Sequence, residues 1–193
     1  MVAKTVRLLV AFLATMGTMY TAQAQIPGED WTRIALLGIN TQSLGISPKF
    51  DQDGTLWAGT RGAGVWRSGD MGASWTQSAG KNSFGSRTIT GIAVSPDFVN
   101  DKTVFAITDD GSIYQSTDGG ASFALQYSTT SGQGTCLGIS RGFAADGKVW
   151  AGFNGGGLYY TTDRGVNWYH DAASPLTVYD LVPSPANDGS LYV

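Results

Sequence analysis

The chain has 193 residues, of which 42% are hydrophobic, 14% charged and 27 are glycine, a composition that excludes a coiled coil or a disordered chain and suits one glycine-punctuated β domain. The formal net charge is −3, and setting aside Lys4 and Arg7 with the leader described next leaves 10 basic against 15 acidic residues, a net of −5. Nucleic acid is not expected as a partner, because its phosphates demand clustered Lys and Arg and no basic run exists.

Lys4 and Arg7 form a short basic region, Leu8 to Tyr20 is a mostly apolar stretch of 13 residues, and Ala22-Gln23-Ala24 places small residues where a signal peptidase reads. A membrane span needs roughly 20 apolar residues. The expectation is therefore a signal peptide over 1–24, cleaved after Ala24. The mature domain over 25–193 is expected to be exported, whether periplasmic, cell-surface or extracellular, with no stable membrane insertion. Cys136 is the sole cysteine, so no intramolecular disulfide forms and the thiol reads as a small apolar core group on a strand.

After the leader, Gly28-Glu29-Asp30-Trp31-Thr32-Arg33 reads as an outer strand, since Trp31-Thr32 aligns with Trp75-Thr76 at a spacing of 44. Four registers of one unit follow, at about 36–81, 86–128, 134–171 and 176–193. Each carries an opening phrase: Ser47-Pro48-Lys49-Phe50 before Thr55-Leu56-Trp57-Ala58-Gly59, Ser95-Pro96-Asp97-Phe98 before Thr103-Val104-Phe105-Ala106-Ile107, Ser140 to Phe143 before Lys148-Val149-Trp150-Ala151-Gly152, and Ser184-Pro185 before Ser190-Leu191-Tyr192-Val193. Asp51-Gln52-Asp53-Gly54 begins like a calcium loop but lacks the rest of that pattern, and reads as a turn between the first and second strands.

A second phrase, Ser/Thr-x-Asp-x-Gly-x-x-aromatic, occurs three times, at Ser68 to Trp75, Ser116 to Phe123 and Thr161 to Trp168, with spacings of 48 and 45. Its chemistry suits a hairpin between third and fourth strands. The Asp carboxylate and the hydroxyl accept turn amides, the glycine adopts a backbone angle other residues avoid, and the aromatic covers the turn. Ser68, Asp70, Gly72, Trp75, Ser116, Asp118, Gly120, Phe123, Thr161, Asp163, Gly165 and Trp168 are therefore assigned structural roles. Within the second unit four strands are expected, at about Ile89 to Val94, Thr103 to Thr108, Ser112 to Ser116 and Phe123 to Tyr127, with no convincing helical period anywhere in the mature chain. One small sheet cannot bury both its faces, so such units stack around an axis as blades. The fold class is all-β, a β-propeller of four-stranded antiparallel blades, and about three and a half blades are legible.

These phrases resemble the Asp-box, or BNR, repeats of bacterial sialidases, sortilin-type domains, xyloglucanases and photosystem II assembly factor-like proteins. The resemblance runs from about Trp31 to Val193. It implies a propeller with the Asp-box turns on the blade periphery and ligands over the axis, near the loops joining second to third strands and fourth to next first strands. A closed ring generally has about four to eight blades, so the expectation is a piece of a longer product, the alternative being self-assembly of several chains.

The loops so implicated are Thr60-Arg61-Gly62, Asp109-Asp110-Gly111, Asn154-Gly155-Gly156, Lys81 to Arg87 and Ser128 to Gly134. Arg61, Asp109, Asp110 and Asn154 are the candidate ligand contacts. Asp109 and Asp110 are a poor acid–base pair, since neighbours on a chain rarely face one reaction centre. A sialidase implies three arginines, a Tyr with an acidic partner and an Arg-Ile-Pro phrase; here only Arg33-Ile34-Ala35 stands. Glu29 is the sole glutamate and precedes the blades. His170 has no companion for zinc and reads as a strand-end surface residue. No catalytic residue is identified in this piece, further blades being able to hold such groups, and no metal or cofactor is expected. Trp57, Trp75, Trp150 and Trp168 occupy repeat positions, and Trp66 and Tyr114 fall on third strands, so all are core before they are ligand platforms.

The leading expectation is an exported binding module that recognises a protein or a carbohydrate through axial loops. The alternative is a piece of a secreted glycoside hydrolase of sialidase or xyloglucanase type. Work as an assembly factor on a membrane complex rests on family analogy alone.

Overall fold

The computed structural model describes residues 39–79, 84–184 and 191–193. The expected signal peptide, the Gly28 to Arg33 strand with Glu29, the Arg33-Ile34-Ala35 match, Lys81 and most of the last opening phrase lie outside the described residues.

Three four-stranded antiparallel sheets follow one another along the chain, each with its strands in sequence order. The first holds β1 (Thr41–Ile46), β2 (Leu56–Thr60), β3 (Val65–Ser68) and β4 (Thr76–Gln77). The second holds β5 (Ile89–Val94), β6 (Val104–Thr108), β7 (Ser112–Ser116) and β8 (Ala124–Ser128). The third holds β9 (Gln133–Ile139), β10 (Val149–Asn154), β11 (Gly157–Thr161) and β12 (Tyr169–Asp171). A two-stranded ribbon, β13 (Val182–Pro183) with β14 (Leu191–Tyr192), comes last. These are blades of the all-β propeller type, and the strands expected in the second unit agree with the observed ones to within one residue at each end.

Each of the first three opening phrases contains a helical turn, contrary to the expectation of none. Phe50–Asp53, Phe98–Asp101 and Phe143–Asp146 each form four helical residues closed by a left-handed residue. A side-chain lock holds each turn. Ser47 Oγ donates to Asp53 Oδ2 at 2.6 Å while Asp53 Oδ1 accepts the Thr55 amide at 2.9 Å. Ser95 with Asp101 and Ser140 with Asp146 repeat the arrangement.

Central strands are buried on both faces, which is why they read as continuous apolar runs rather than alternating ones. All five residues of β2 and of β6 are buried, whereas β8 is exposed or half-buried throughout. Alternate side chains of β6 enter different layers: Val104 and Ala106 join Trp57, Val65, Phe84 and Ile89, while Phe105 and Ile107 join Phe143, Val149, Ala151 and Phe153. The core is thus a series of slabs between successive sheets. Cys136 lies in the third slab with Trp150, Leu158, Val178 and Leu181, and burial pushes its thiol pKa up.

The three hairpin phrases sit between third and fourth strands. In the second blade Ser116 Oγ donates to Asp118 Oδ1 at 2.7 Å and accepts the Gly120 amide at 2.7 Å, and Asp118 accepts the amide and hydroxyl of Ser122 at 2.9 and 2.6 Å. Ser68 with Asp70, and Thr161 with Asp163, make the same bonds. Gly72, Gly120 and Gly165 have φ of 88°, 86° and 93°, a region closed to residues with a Cβ except at a cost. Trp75 and Trp168 are half-buried and donate Nε1 to Gly72 O and Gly165 O, while Phe123 is buried.

Candidate functional site

Loops joining second to third strands, and fourth strands to the next first strand, gather at one end of the sheets. The first-to-second-strand ladders of all three blades shift register toward that end, between Thr41 and Ser43, Ile89 and Gly91, and Gly152 and Phe153. Such bulges re-aim a strand end and are common beside sites.

Between the second and third blades the loops leave an open hollow of about 590 Å³, lined by Asp109, Asp110, Thr130, Ser131, Gly132, Gln133, Asn154 and Gly155. The close approach of the two loops forms its floor, since a Cβ at Gly132 would meet the Asn154 carbonyl oxygen at 2.8 Å. Asn154 is paired with Gln133 across β10 and β9, which places two side-chain amides next to each other at the rim. Asn154 Oδ1 accepts the Thr177 hydroxyl at 3.3 Å, leaving its Nδ2 free to donate.

The two aspartates differ in what they are already doing. Asp109 Oδ1 accepts the Thr88 amide at 3.0 Å. Asp110 accepts the Thr108 hydroxyl at 2.6 Å and is ion-paired with Arg87, whose Nη1 also donates to the Phe84 carbonyl. Burial works against the Asp110 charge, but the bonds from Thr108, Arg87 and Ser112 outweigh it and hold the carboxyl below its ordinary value. The hydrogen bond with Asp110 raises Arg87 in turn.

Of the four candidate contacts, the structure brings Asp109, Asp110 and Asn154 to one hollow and leaves Arg61 out of it. Arg61 lies in the neighbouring loop, bridged to Thr88 and donating its amide to the Asn40 carbonyl. The sequence reading did not single out Arg87. Its partner Asp110 lies 23 residues away, and the corresponding turns of the other blades, Thr60-Arg61-Gly62 and Asn154-Gly155-Gly156, carry no aspartate, so periodicity gives no signal for the pair.

His170 is exposed on β12 and stacks against Tyr159 at 4.9 Å. Asp51 and Asp53 lie in the first helical turn between β1 and β2. Among the described residues no group of three or more His, Cys, Asp or Glu could hold a metal ion, and no helix is long and apolar enough to cross a membrane.

No family profile and no curated protein matches the chain. Solved structures do resemble it. The structure of YCF48 bound to D1 peptide aligns with a TM-score of 0.59 at 15% identity, over 77% of this chain and 46% of that one. The GH74 enzyme of Niastella koreensis aligns with a TM-score of 0.58 at 22% identity, over 78% of this chain and 21% of that one, and the GH74 xyloglucanase of Xanthomonas campestris with 0.55 at 22% identity, over 70% and 23%. The chain therefore spans less than half the length of each of these structures, and the likeness is one of fold.

Proposed function

We propose that the chain is part of an exported β-propeller binding module, with the hollow between its second and third blades taking an extended polypeptide segment. The observation that carries this reading is the chemistry of the hollow. Gln133, Asn154, Thr130 and Ser131 offer donors and acceptors matched to a peptide backbone, on loops fixed by a rigid sheet. The repeated hairpin phrase and the expected leader support a repeat protein of the Asp-box kind working outside the cytoplasm. The peptide held in the YCF48 structure supports a protein partner.

Glycoside hydrolysis is the weaker reading. It needs one carboxyl kept protonated as an acid near neutral pH, and Asp110 is held the other way, ionised and paired with Arg87. The test is to screen the protein against an array of extended 12- to 15-residue peptides and, in parallel, a panel of oligosaccharides that includes xyloglucan fragments. Peptide capture that falls about tenfold or more in an Asp109→Ala/Asn154→Ala double variant with an unchanged circular dichroism spectrum is the expected result. Hydrolysis of an oligosaccharide, or peptide capture indifferent to those two changes, would overturn the reading.

A further inference from the structure

The hollow between the second and third blades carries one charge that the described chain does not answer. Its lining includes two aspartates and no lysine or arginine. Asp110 is already met: Arg87 Nε donates to its Oδ2, the Thr108 hydroxyl donates to its Oδ1, and the Phe84 carbonyl ties down Arg87 further through Nη1. Asp109 is half-buried, and its Oδ1 accepts the Thr88 amide at 3.0 Å. Its Oδ2 has no hydrogen-bond or ion-pair partner among the described residues. Arg87 senses the Asp109 charge more weakly than the hydrogen bond from Asp110, so the guanidinium stays with Asp110. A half-buried carboxylate with one amide donor and no cation is a place where an incoming positive group gains most.

The main chain around the hollow has the same sign. A Cβ on Gly111 would lie 2.6 and 2.8 Å from the carbonyl oxygens of Thr129 and Gly132, and one on Gly156 would lie 2.9 Å from that of Ser131. With the Asn154 carbonyl against Gly132, four carbonyl oxygens crowd the loops that build the hollow. These oxygens are the negative ends of peptide dipoles, so they add to the field of Asp109 and favour a cation. The chain as a whole has 15 acidic against 12 basic residues, a balance that draws a cationic ligand in rather than repelling it.

We propose that Asp109 is the specificity-determining residue of the hollow, and that the polypeptide segment bound there carries a Lys or Arg side chain which pairs with it. This rests on the peptide reading above. The ammonium or guanidinium donates to Asp109 Oδ2, while the Asn154 and Gln133 amides and the hydroxyls of Thr130 and Ser131 bond the flanking backbone. The Arg87–Asp110 pair has a part in this selectivity: by keeping its guanidinium on Asp110, it prevents a cation of the chain itself from taking the ligand's place. A neutral side chain at that position leaves the carboxylate unanswered, and an acidic one is repelled.

The test uses two sets of random-sequence extended peptides, alike except that every Lys and Arg of the first is Gln in the second. Both are acetylated at the amino terminus and amidated at the other end, so that a side chain is the sole source of positive charge. The basic set is expected to bind the unaltered protein about ten- to a hundredfold more tightly than the Gln set, and to lose most of that margin at about 1 M salt. In Asp109→Asn, whose side-chain oxygen still accepts the Thr88 amide, the basic set should fall to the level of the Gln set, which itself binds as before. Equal capture of both sets by the unaltered protein would overturn this inference and leave the peptide reading standing, whereas capture of neither would overturn both. A preference for the basic set that survives Asp109→Asn, with the circular dichroism spectrum unchanged, would also overturn it. So would a preference that emerges only in Lys81→Gln, since the chain's own lysine would then hold the carboxylate.

Discussion

Asp70 is exposed and Asp163 half-buried at the tips of their hairpins, and both are held at a pKa of about 2. For Asp70 the causes are the Ser74 hydroxyl, the Ser74 amide and the Ser68 hydroxyl, in that order; for Asp163 they are the Asn167 amide, the Thr161 hydroxyl and the Asn167 side chain. Asp118 is shifted the same way, its hydrogen bonds from Ser122 and Ser116 outweighing burial. Because the folded values lie below the ordinary 3.8, the unfolded chain takes up protons first as the pH falls. The stability these carboxylates contribute is complete above about pH 5 and is lost as the pH drops through about 4 toward 2. Urea midpoints measured from pH 7 to 2 should fall steeply over that window, and more shallowly in an Asp70→Asn/Asp163→Asn double variant, whose midpoint is lower at neutral pH. These residues were legible in the sequence because each phrase recurs with its acceptors and donors at fixed offsets. The Arg87–Asp110 pair was not, since it joins the loop before β5 to the β6–β7 turn and no other described blade repeats it.

Hairpins and helical turns are the elements that join one blade to the next. Gly120 illustrates how a single position serves both its own turn and the neighbouring blade, with φ of 86° and the Trp57 indole in the space a Cβ would need. Gly120→Ala is expected to cost about 2–4 kcal/mol, combining the left-handed backbone with overpacking of the slab. Gly69→Ala makes the control, since a Cβ there meets nothing within 4 Å and surface changes stay within about 0.5 kcal/mol. Urea unfolding of both variants reads the difference, and similar midpoints would mean that the ring and the turn glycine do not work together. Strand positions in the second unit were readable from turn residues and apolar runs almost to the residue. The helical turns were not, because four residues cannot display a helical period, and the Ser–Asp lock at a six-residue offset is visible only once the chain is seen to bend there. Nor does any repeat spacing announce the bond from Trp57 to Gly119, which spans 62 residues.

Across the described blades, stability should be graded both within a sheet and along the chain. Within a sheet, β6 has a ladder on each edge and a slab on each face, so its amides open only when both neighbouring blades loosen. β8 has one ladder and exposed side chains, and β12 is three residues long, which leaves local fraying as their route to exchange. Along the chain, stacked repeats gain stability from each neighbour, and the second blade has a described neighbour on both sides. Among the described residues the third blade meets Val178, Leu181 and the β13–β14 ribbon on its far face. Hydrogen exchange read by mass spectrometry should therefore rank peptides covering 104–108 as slowest, 149–153 as intermediate, and 124–128 and 169–171 as fastest, with roughly a hundredfold or more between the extremes. Equal rates over all these segments would instead mean that the slabs between blades do not grade the stability of the strands they cover.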